Sequence, residues 1–526
     1  MNVNRDSLTT ELIRELKGEA KRLRGQPTEH LTKTPNRFRN NHQYQSGLLV
    51  DWSRQFIDER VFKLLDDYAT QCQVHHFLHL IAGNEIVNTT EQRAASHIQH
   101  RELKHNITNL DNQELQQSRT EMLNLAIAIR DGTQLGCSGK RFTDILHVGI
   151  GGSHLGAELV CNSLSSNSTL RIHFVTTVNF EQLKQLLSRL NPDSTLCVVA
   201  SKSYTTYETI ENAQLIRRWF IERTSPNTDF TSHFVHITSN ADLPPDREVV
   251  LKVPDSVGGR YSVWSSMGFP IALTLGQEQY LDFLHGAHEM DVHVLETENP
   301  ATNLAIRLAL LSLWNISGLD ATSHLVLTYD TRLRHLASYL QQLEMESNGK
   351  SMTTEQQPVS CPTSPVVWGG SETEGQHAYH QWLHQGTQNY NADIFAILPE
   401  ASSNDADNLN WVIANALAQS SVMLNGVQTS HNNRFKEIKG QHGSTVFLLK
   451  QLDAKTLGSL LALYEHKVAC LGYFWGINSF DQWGVETGKQ LANDVVQLLQ
   501  SKDLSGIDPT LSDFVAKIKF LQASSE

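Results

Sequence analysis

Cysteine is scarce in this chain: six in 526 residues, at positions 72, 137, 161, 197, 361 and 470, with no CxxC pair and no even framework. Such scatter excludes a disulfide-stapled fold and reads as free, buried thiols in a reducing compartment. Long apolar runs are missing too. None approaches the ~20 residues that cross a bilayer, and the opening MNVNRDSLTTELIRELKGEAKRL is charged and amphipathic, without the apolar centre of a signal peptide. A cytoplasmic protein with no membrane partner is expected. Nor is there a run of Lys and Arg. With 43 basic residues against 56 acidic ones the net charge is −13, a surface that repels nucleic acid. An anionic small molecule would need a locally positive pocket.

Apolar material is plentiful, at 40% of residues, and the length exceeds what one core serves, so two or three domains are expected. Residues 1 to about 115 read as helices with polar connections: Leu8 to Arg24, Val61 to Ile81, Asp111 to Asp131. From Asp144 short β-branched runs alternate with helix-length segments: Ile145–Ile150, Ile172–Val178, Leu196–Ala200 and Phe234–Ile237. Continuous apolar strands separated by helices indicate an α/β layer fold with buried parallel strands. A second set follows at Leu325–Thr328, Val366–Trp368, Ile394–Leu398 and Val446–Leu449, so the pattern occurs twice. The residues from Ser501 onward read as a polar tail with one amphipathic turn near Phe514–Phe520.

Two loops after strands carry glycine and hydroxyl groups. VGIGGSHLG (148–156) follows the first strand, and ASKSYTT (200–206) follows the third. N–H groups at a helix start, joined by hydroxyls, make an anion site. Either loop alone reads better as a strand–helix turn with Ser or Thr as N-cap. Two on neighbouring strands, the second with Lys202, favour the anion. The glycine spacing misses GxGxxG, and GxxxxGK[ST] is absent, so a monophosphate fits better than a nucleotide.

Further along, Gly258-Gly259-Arg260 offers a guanidinium fork for developing anionic oxygens, against the plainer reading of a turn with a surface Arg. In the helical run Tyr329–Lys350, Gln342 and Glu346 are four apart, on one face at the helix end. That end disfavours a carboxylate as the anion, which suits a general base; the plainer reading is a solvated acid. His377, His380 and His384 fall at i, i+3 and i+7. Without further acidic or thiolate ligands and without HExxH, an acid/base histidine is favoured over a metal site. Tyr464-Glu465-His466-Lys467 is a further charged run, and Gln482 and Lys489 lie two turns apart on one face.

Together VGIGGSHLG, ASKSYTTYETIENA, VGGRYSVWSSMG, MESNGK, GQHAYHQWLHQGT, YEHK and FDQWGVETGKQLA resemble the glucose-6-phosphate isomerase family, in the family's order between residues 144 and 495. The resemblance implies two sugar-isomerase αβα sandwich domains with helical N- and C-terminal additions. A segment 1–115 would pack with the second domain, a smaller domain would span 116–285, a larger one 286–500, and a tail 501–526. It implies reversible isomerisation of glucose 6-phosphate and fructose 6-phosphate, a step of glycolysis and gluconeogenesis. It also implies a homodimer with sites at the subunit interface, and neither cofactor nor metal.

Carried over by motif, Glu346 would shuttle a proton between C1 and C2. His377, from the neighbouring subunit, and Lys489 would open the sugar ring. Arg260 would stabilise the cis-enediolate. Gly152, Ser153, Ser201, Lys202, Ser203 and Thr206 would hold the phosphate and nearby oxygens, and Gln342 and Gln482 would line the site. Departures from the family pattern fall at 369–375 before His377, at Ser203-Tyr204 and Tyr207 in the second loop, at His380, at Gly440–Thr445, and in a shortened stretch between Leu398 and Phe435. None removes a proposed catalytic group. A non-catalytic phosphosugar-binding or regulatory protein is the alternative, since the two loops alone serve it equally well. A phosphosugar transaminase would want an amide-handling domain, for which there is no signal.

Overall fold

The computed structural model describes residues 5–103, 110–165, 168–176, 178–240, 242, 245–399, 406–429, 433–500 and 508–523. Of the tail expected at 501–526, residues 501–507 and 524–526 lie outside that description; 509–523 form a helix, Pro509–Ala523. The chain up to Ser479 is one compact unit and Phe480–Glu526 a second.

Eleven strands are found among the described residues, in two sheets. In chain order they are β1 (His42–Gln45), β2 (Leu48–Asp51), β3 (Asp144–Val148), β4 (Arg171–Val175), β5 (Thr195–Ala200), β6 (Phe234–Thr238), β7 (Val249–Lys252), β8 (Ser323–Thr328), β9 (Val366–Ser371), β10 (Tyr390–Ile397) and β11 (Ser444–Leu449). One sheet, in the order β4-β3-β5-β6-β7, is parallel throughout. β3 and β5 are fully buried along their length, as the unbroken apolar runs require. The second sheet runs β1-β2-β11-β10-β8-β9; its four later strands are parallel. The fold is therefore α/β with two parallel-strand layers.

Each of the eight strands read from apolar runs is present, with ends shifted by up to about four residues. Three features escaped that reading, the short strand β7 among them. The N-terminal segment is not helical throughout: β1 and β2 form a hairpin whose β2 pairs antiparallel with β11. Its two-residue turn, Ser46-Gly47, has positive φ at both positions, the geometry that matches strand twist. The expected helix Val61–Ile81 is two, Glu59–Gln71 and Val74–Ala82, divided where Gln73 takes φ 57°.

Helices surround the sheets. Phe220, Trp219 and Ile216 of helix Tyr207–Arg223 pack on Cys197 and Val199 of β5 and Phe234 of β6. The helix Ala454–Phe474 is buried along nearly its whole length. It packs against Gln277–Glu296, Leu304–Leu313 and Leu336–Asn348. No helix of the described residues is long and apolar enough to cross a membrane.

Candidate active site

The strand order 4-3-5 means that the chain leaves β3 for one side and returns to pair β5 on the other. The carboxyl ends of β3 and β5 thus flank a topological switch point, where open α/β sheets leave a crevice for ligands. The Gly149–Ser153 and Ser201–Thr206 loops leave those two ends, and a Cβ on Gly149 would lie 3.0 Å from the Ala200 carbonyl oxygen. Neighbouring placement of the two loops is thus a property of the topology.

Within the second loop Ser201 is buried and its Oγ donates to Thr206 Oγ1 (3.3 Å), while Ser203 Oγ meets Thr205 Oγ1 at 2.7 Å. The Lys202 carbonyl accepts from Ser239 N (2.9 Å) and Thr238 Oγ1 (2.9 Å), which ties the loop to the end of β6. The Lys202 ammonium donates to the Asp255 carbonyl (2.8 Å), at the turn leading to Arg260. Burial, reinforced by the Arg93 charge, brings that ammonium down to about 8.

Glycine at 152 has a packing reason. A Cβ there would sit 2.1 Å from the Gly259 carbonyl carbon, so the first loop and the Gly258–Arg260 loop touch backbone to backbone. A Cβ on Gly151 would lie 3.1 Å from Gln342 Nε2, which brings in the helix Leu336–Asn348. Ser153, at the end of the first loop's 3-10 turn, gives its carbonyl to His147 Nε2 (2.8 Å).

Arg260 and Glu346 meet where these elements join. The Arg260 side chain is 1% exposed, and its Nη1 lies 3.4 Å from Glu346 Oε2. Arg260 Nε donates to Ser347 Oγ (2.6 Å) and Nη2 to the Ser479 carbonyl (2.7 Å), so the guanidinium is aimed by fixed partners. Gln342 Nε2 donates to Glu346 Oε2 at 3.0 Å. The Glu346 side chain keeps 24% of its exposure, enough for a substrate to reach it. Lys350 Nζ donates to the carbonyls of Glu346 (3.1 Å), Ser347 (2.8 Å) and Asn478 (3.0 Å). The negative end of the helix dipole is therefore met by a cation.

Sequence reasoning missed Ser347, Lys350, Asn478 and Ser479. The first two lie inside MESNGK, and their signal was position alone: a Lys just past a helix end. It also missed Glu91 and Arg93, which pair in the turn 88–93. Asn478 Nδ2 donates to Asn88 Oδ1 (2.8 Å) and Thr90 Oγ1 (2.9 Å), joining this N-terminal turn to the segment whose carbonyl Lys350 holds.

The three histidines do not share a helix face as the spacing suggested. His377 precedes the short helix His380–Gln385 and is exposed. His380 Nε2 donates to the fully buried Glu372, which also accepts from Tyr379 Oη (2.5 Å), and His384 Nε2 donates to Gln419 Oε1 (2.9 Å). Glu372 clamps the altered loop before His377, and the unusual His380 finds its partner there. Gln482 and Lys489 belong to the second unit. Gln482 begins the 3-10 turn Trp483–Val485, and Lys489, in helix Glu486–Gln500, has its Nζ 3.4 Å from Glu486 Oε1.

The YEHK run is buried rather than open to a ligand. Glu465 accepts from Arg101 Nη2, from Trp264 Nε1 (2.9 Å) and from Tyr339 Oη (3.2 Å). His466 Nε2 and Arg101 Nη1 both reach Asp291. Tyr464 Oη donates to Asp393 (2.6 Å), which His324 and Lys467 also face. Burial pushes the Asp393 carboxyl up, but the neighbouring His324 and Lys467, with the Tyr464 hydrogen bond, outweigh it and hold it below the usual carboxylate range.

Residues 51–514 match the family model for phosphoglucose isomerase. The glucose-6-phosphate isomerase 1 of Chromohalobacter salexigens is 36% identical over 505 residues, covering 94% of this chain and 90% of that protein. That of Shewanella denitrificans is 39% identical over 490 residues, 88% and 89%. Among solved structures, a glucose-6-phosphate isomerase from Chlamydia trachomatis superposes with a TM-score of 0.83 at 28% identity, covering 93% of this chain and 94% of that one.

Proposed function

This chain belongs to the phosphoglucose isomerase family, and from that premise we propose that it interconverts glucose 6-phosphate and fructose 6-phosphate on the Glu346 carboxylate. The observation that carries the residue assignment is the Arg260–Glu346 pair, 3.4 Å apart, with the guanidinium buried and the carboxylate reachable. Aldose–ketose isomerisation needs one base that takes a proton from C2 and returns it to C1, and a cation for the enediolate oxygens formed between those steps. Glu346 does the first and Arg260 the second. Gln342 orients the carboxylate. The phosphate rests on the two loops at the switch point, through Gly152, Ser153, Ser201, Lys202, Ser203 and Thr206. His377 and Lys489 open the ring by moving protons at the ring oxygen and the C1 hydroxyl, and Gln482 lines the same site. No step in this sequence calls on a metal or redox cofactor.

The domain reading that accompanies this is a small sugar-isomerase domain at 116–285 and a larger one at 286–500. The protein works as a cytoplasmic homodimer, in glycolysis and gluconeogenesis, with His377 entering the partner's site. A binder without catalysis is disfavoured, since phosphate holding gives no reason to aim Arg260 at a carboxylate. The test is a coupled assay on purified protein, with and without chelator, beside Glu346→Gln. Loss of a proton-transfer group costs about 10²–10⁴-fold, so kcat should fall by that factor while chelator changes nothing. A Glu346→Gln enzyme with near-normal kcat overturns the base assignment.

A further inference from the structure

The second loop carries a tyrosine whose side chain leaves the ligand crevice and enters the sheet. Tyr204 takes φ 54°, the left-handed region that a bulky residue rarely adopts, and its N–H closes a turn onto the Ser201 carbonyl at 3.1 Å. Such a conformation persists where its surroundings over-determine it. Here the surroundings are specific. Tyr204 packs on the apolar core beneath β5 and β6, and its hydroxyl lies 2.9 Å from Nδ1 of His236 on β6. His236 is 1% exposed, and its Nε2 lies 2.6 Å from Glu248 Oε2. Arg217, from the helix that follows the loop, donates to the same oxygen at 2.7 Å and lies over the Phe234 ring.

Donor and acceptor roles follow along this chain. Burial pushes the Glu248 carboxyl up, but His236 and Arg217 outweigh it, so Glu248 stays ionised and only accepts. His236 Nε2, facing that carboxylate, carries a hydrogen, and Nδ1 meets the Tyr204 hydroxyl. Burial keeps that phenol protonated by raising it to about 12.

We propose that Tyr204 is a positioning residue for the phosphate site. Its hydroxyl, anchored through His236 and Glu248 to Arg217, holds the loop in the left-handed turn that presents Ser201, Ser203 and Thr206 to the substrate's phosphate. The backbone anchors at Lys202 fix the start of the loop; Tyr204 fixes its middle. The proposal rests on the reading that this loop takes the phosphate.

Tyr204→Phe keeps the ring and removes only the hydroxyl. Inorganic phosphate serves as the probe, its competitive inhibition constant measured beside KM and kcat for glucose 6-phosphate. One neutral hydrogen bond corresponds to about a three- to tenfold change. The phosphate constant and KM should rise together by that factor, with kcat unchanged. His236→Phe should produce the same rise, and the double variant should add nothing to either single one, because both substitutions cut one chain. Unchanged phosphate constant and KM in Tyr204→Phe overturn the proposal, and so does a fall in kcat or melting temperature alone, which marks a merely structural role. Ser201→Ala with Thr206→Ala separates the two readings. If that pair leaves the phosphate constant untouched, the loop does not take the phosphate and the underlying reading fails instead.

Discussion

Lys202 is set between two tasks. Its ammonium has three N–H groups, one of which holds the Asp255 carbonyl and so joins the phosphate loop to the turn before Arg260. Burial first, and the Arg93 charge second, bring it down to about 8, against the weaker pull of Asp255 and Glu91. A depressed lysine is cationic below that value and neutral above it, so its attraction for a phosphate dianion is present at pH 7 and lost as pH rises through about 8. The inhibition constant of inorganic phosphate, already a dianion across pH 7.5–9.5 to a good approximation, should therefore climb by up to about tenfold per pH unit above that point. Lys202→Arg retains its charge over this range and should flatten the climb. A wild-type curve that is flat from the start removes Lys202 from the phosphate site.

At the scale of elements, the helix Ala454–Phe474 is the beam to which both halves of the site are fastened. Through Glu465 it holds Trp264, from the loop that follows Arg260, and Tyr339, from the helix that carries Glu346. Arg101 supplies the charge that makes a buried Glu465 tolerable, and both side chains are 0% exposed. Arg101→Met takes the guanidinium from the buried Glu465 and Asp291, leaving them the hydrogen bonds of Trp264, Tyr339 and His466, which costs about 3–5 kcal/mol. A large drop in the urea midpoint of unfolding is expected. Arg14→Met, which removes an exposed i,i+3 pair with Glu11, should leave the midpoint where it was. This helix also shows where sequence reading stops. Apolar runs such as Leu196–Ala200 and Val446–Leu449 announce buried strands because continuous burial writes itself as continuous hydrophobicity. YEHK gives no such sign of burial, since the partners that hold it sit 71 to 364 residues away. The hairpin at 42–51 and the strand Val249–Lys252 were illegible for another reason. Each strand is only four residues long, too short for a pattern to show, and each is held as a strand by the neighbour it pairs with. The site divides along the same line. Motif spacing placed Gln342 beside Glu346 because both lie on one helix, whereas Ser347, Asn478 and Ser479 act through contacts that no local pattern encodes.

For the whole molecule the open question is which chain supplies the imidazole. His377 stands exposed after β9 at a turn clamped by the buried Glu372, a fixed base for a side chain that reaches outward. The family reading sends it into the partner's site, and that arrangement has a consequence no single-chain site shares. Glu346→Gln and His377→Ala should each inactivate a homodimer, since every site lacks one group. Mixed dimers differ. Under two-fold symmetry one of their sites pairs the altered Glu346 with the altered His377 and is doubly defective, while the other pairs the two native residues and is whole. Refolding the two inactive variants together should therefore restore activity to a level set by the fraction of mixed dimers, with an unaltered KM. Refolding each alone should restore none. Recovery of activity demands exchange between chains, because no assortment of intact single-chain sites can be made from these two variants; its absence, once mixed dimers are demonstrated by tagged pull-down, places His377 in its own protomer's site or in none.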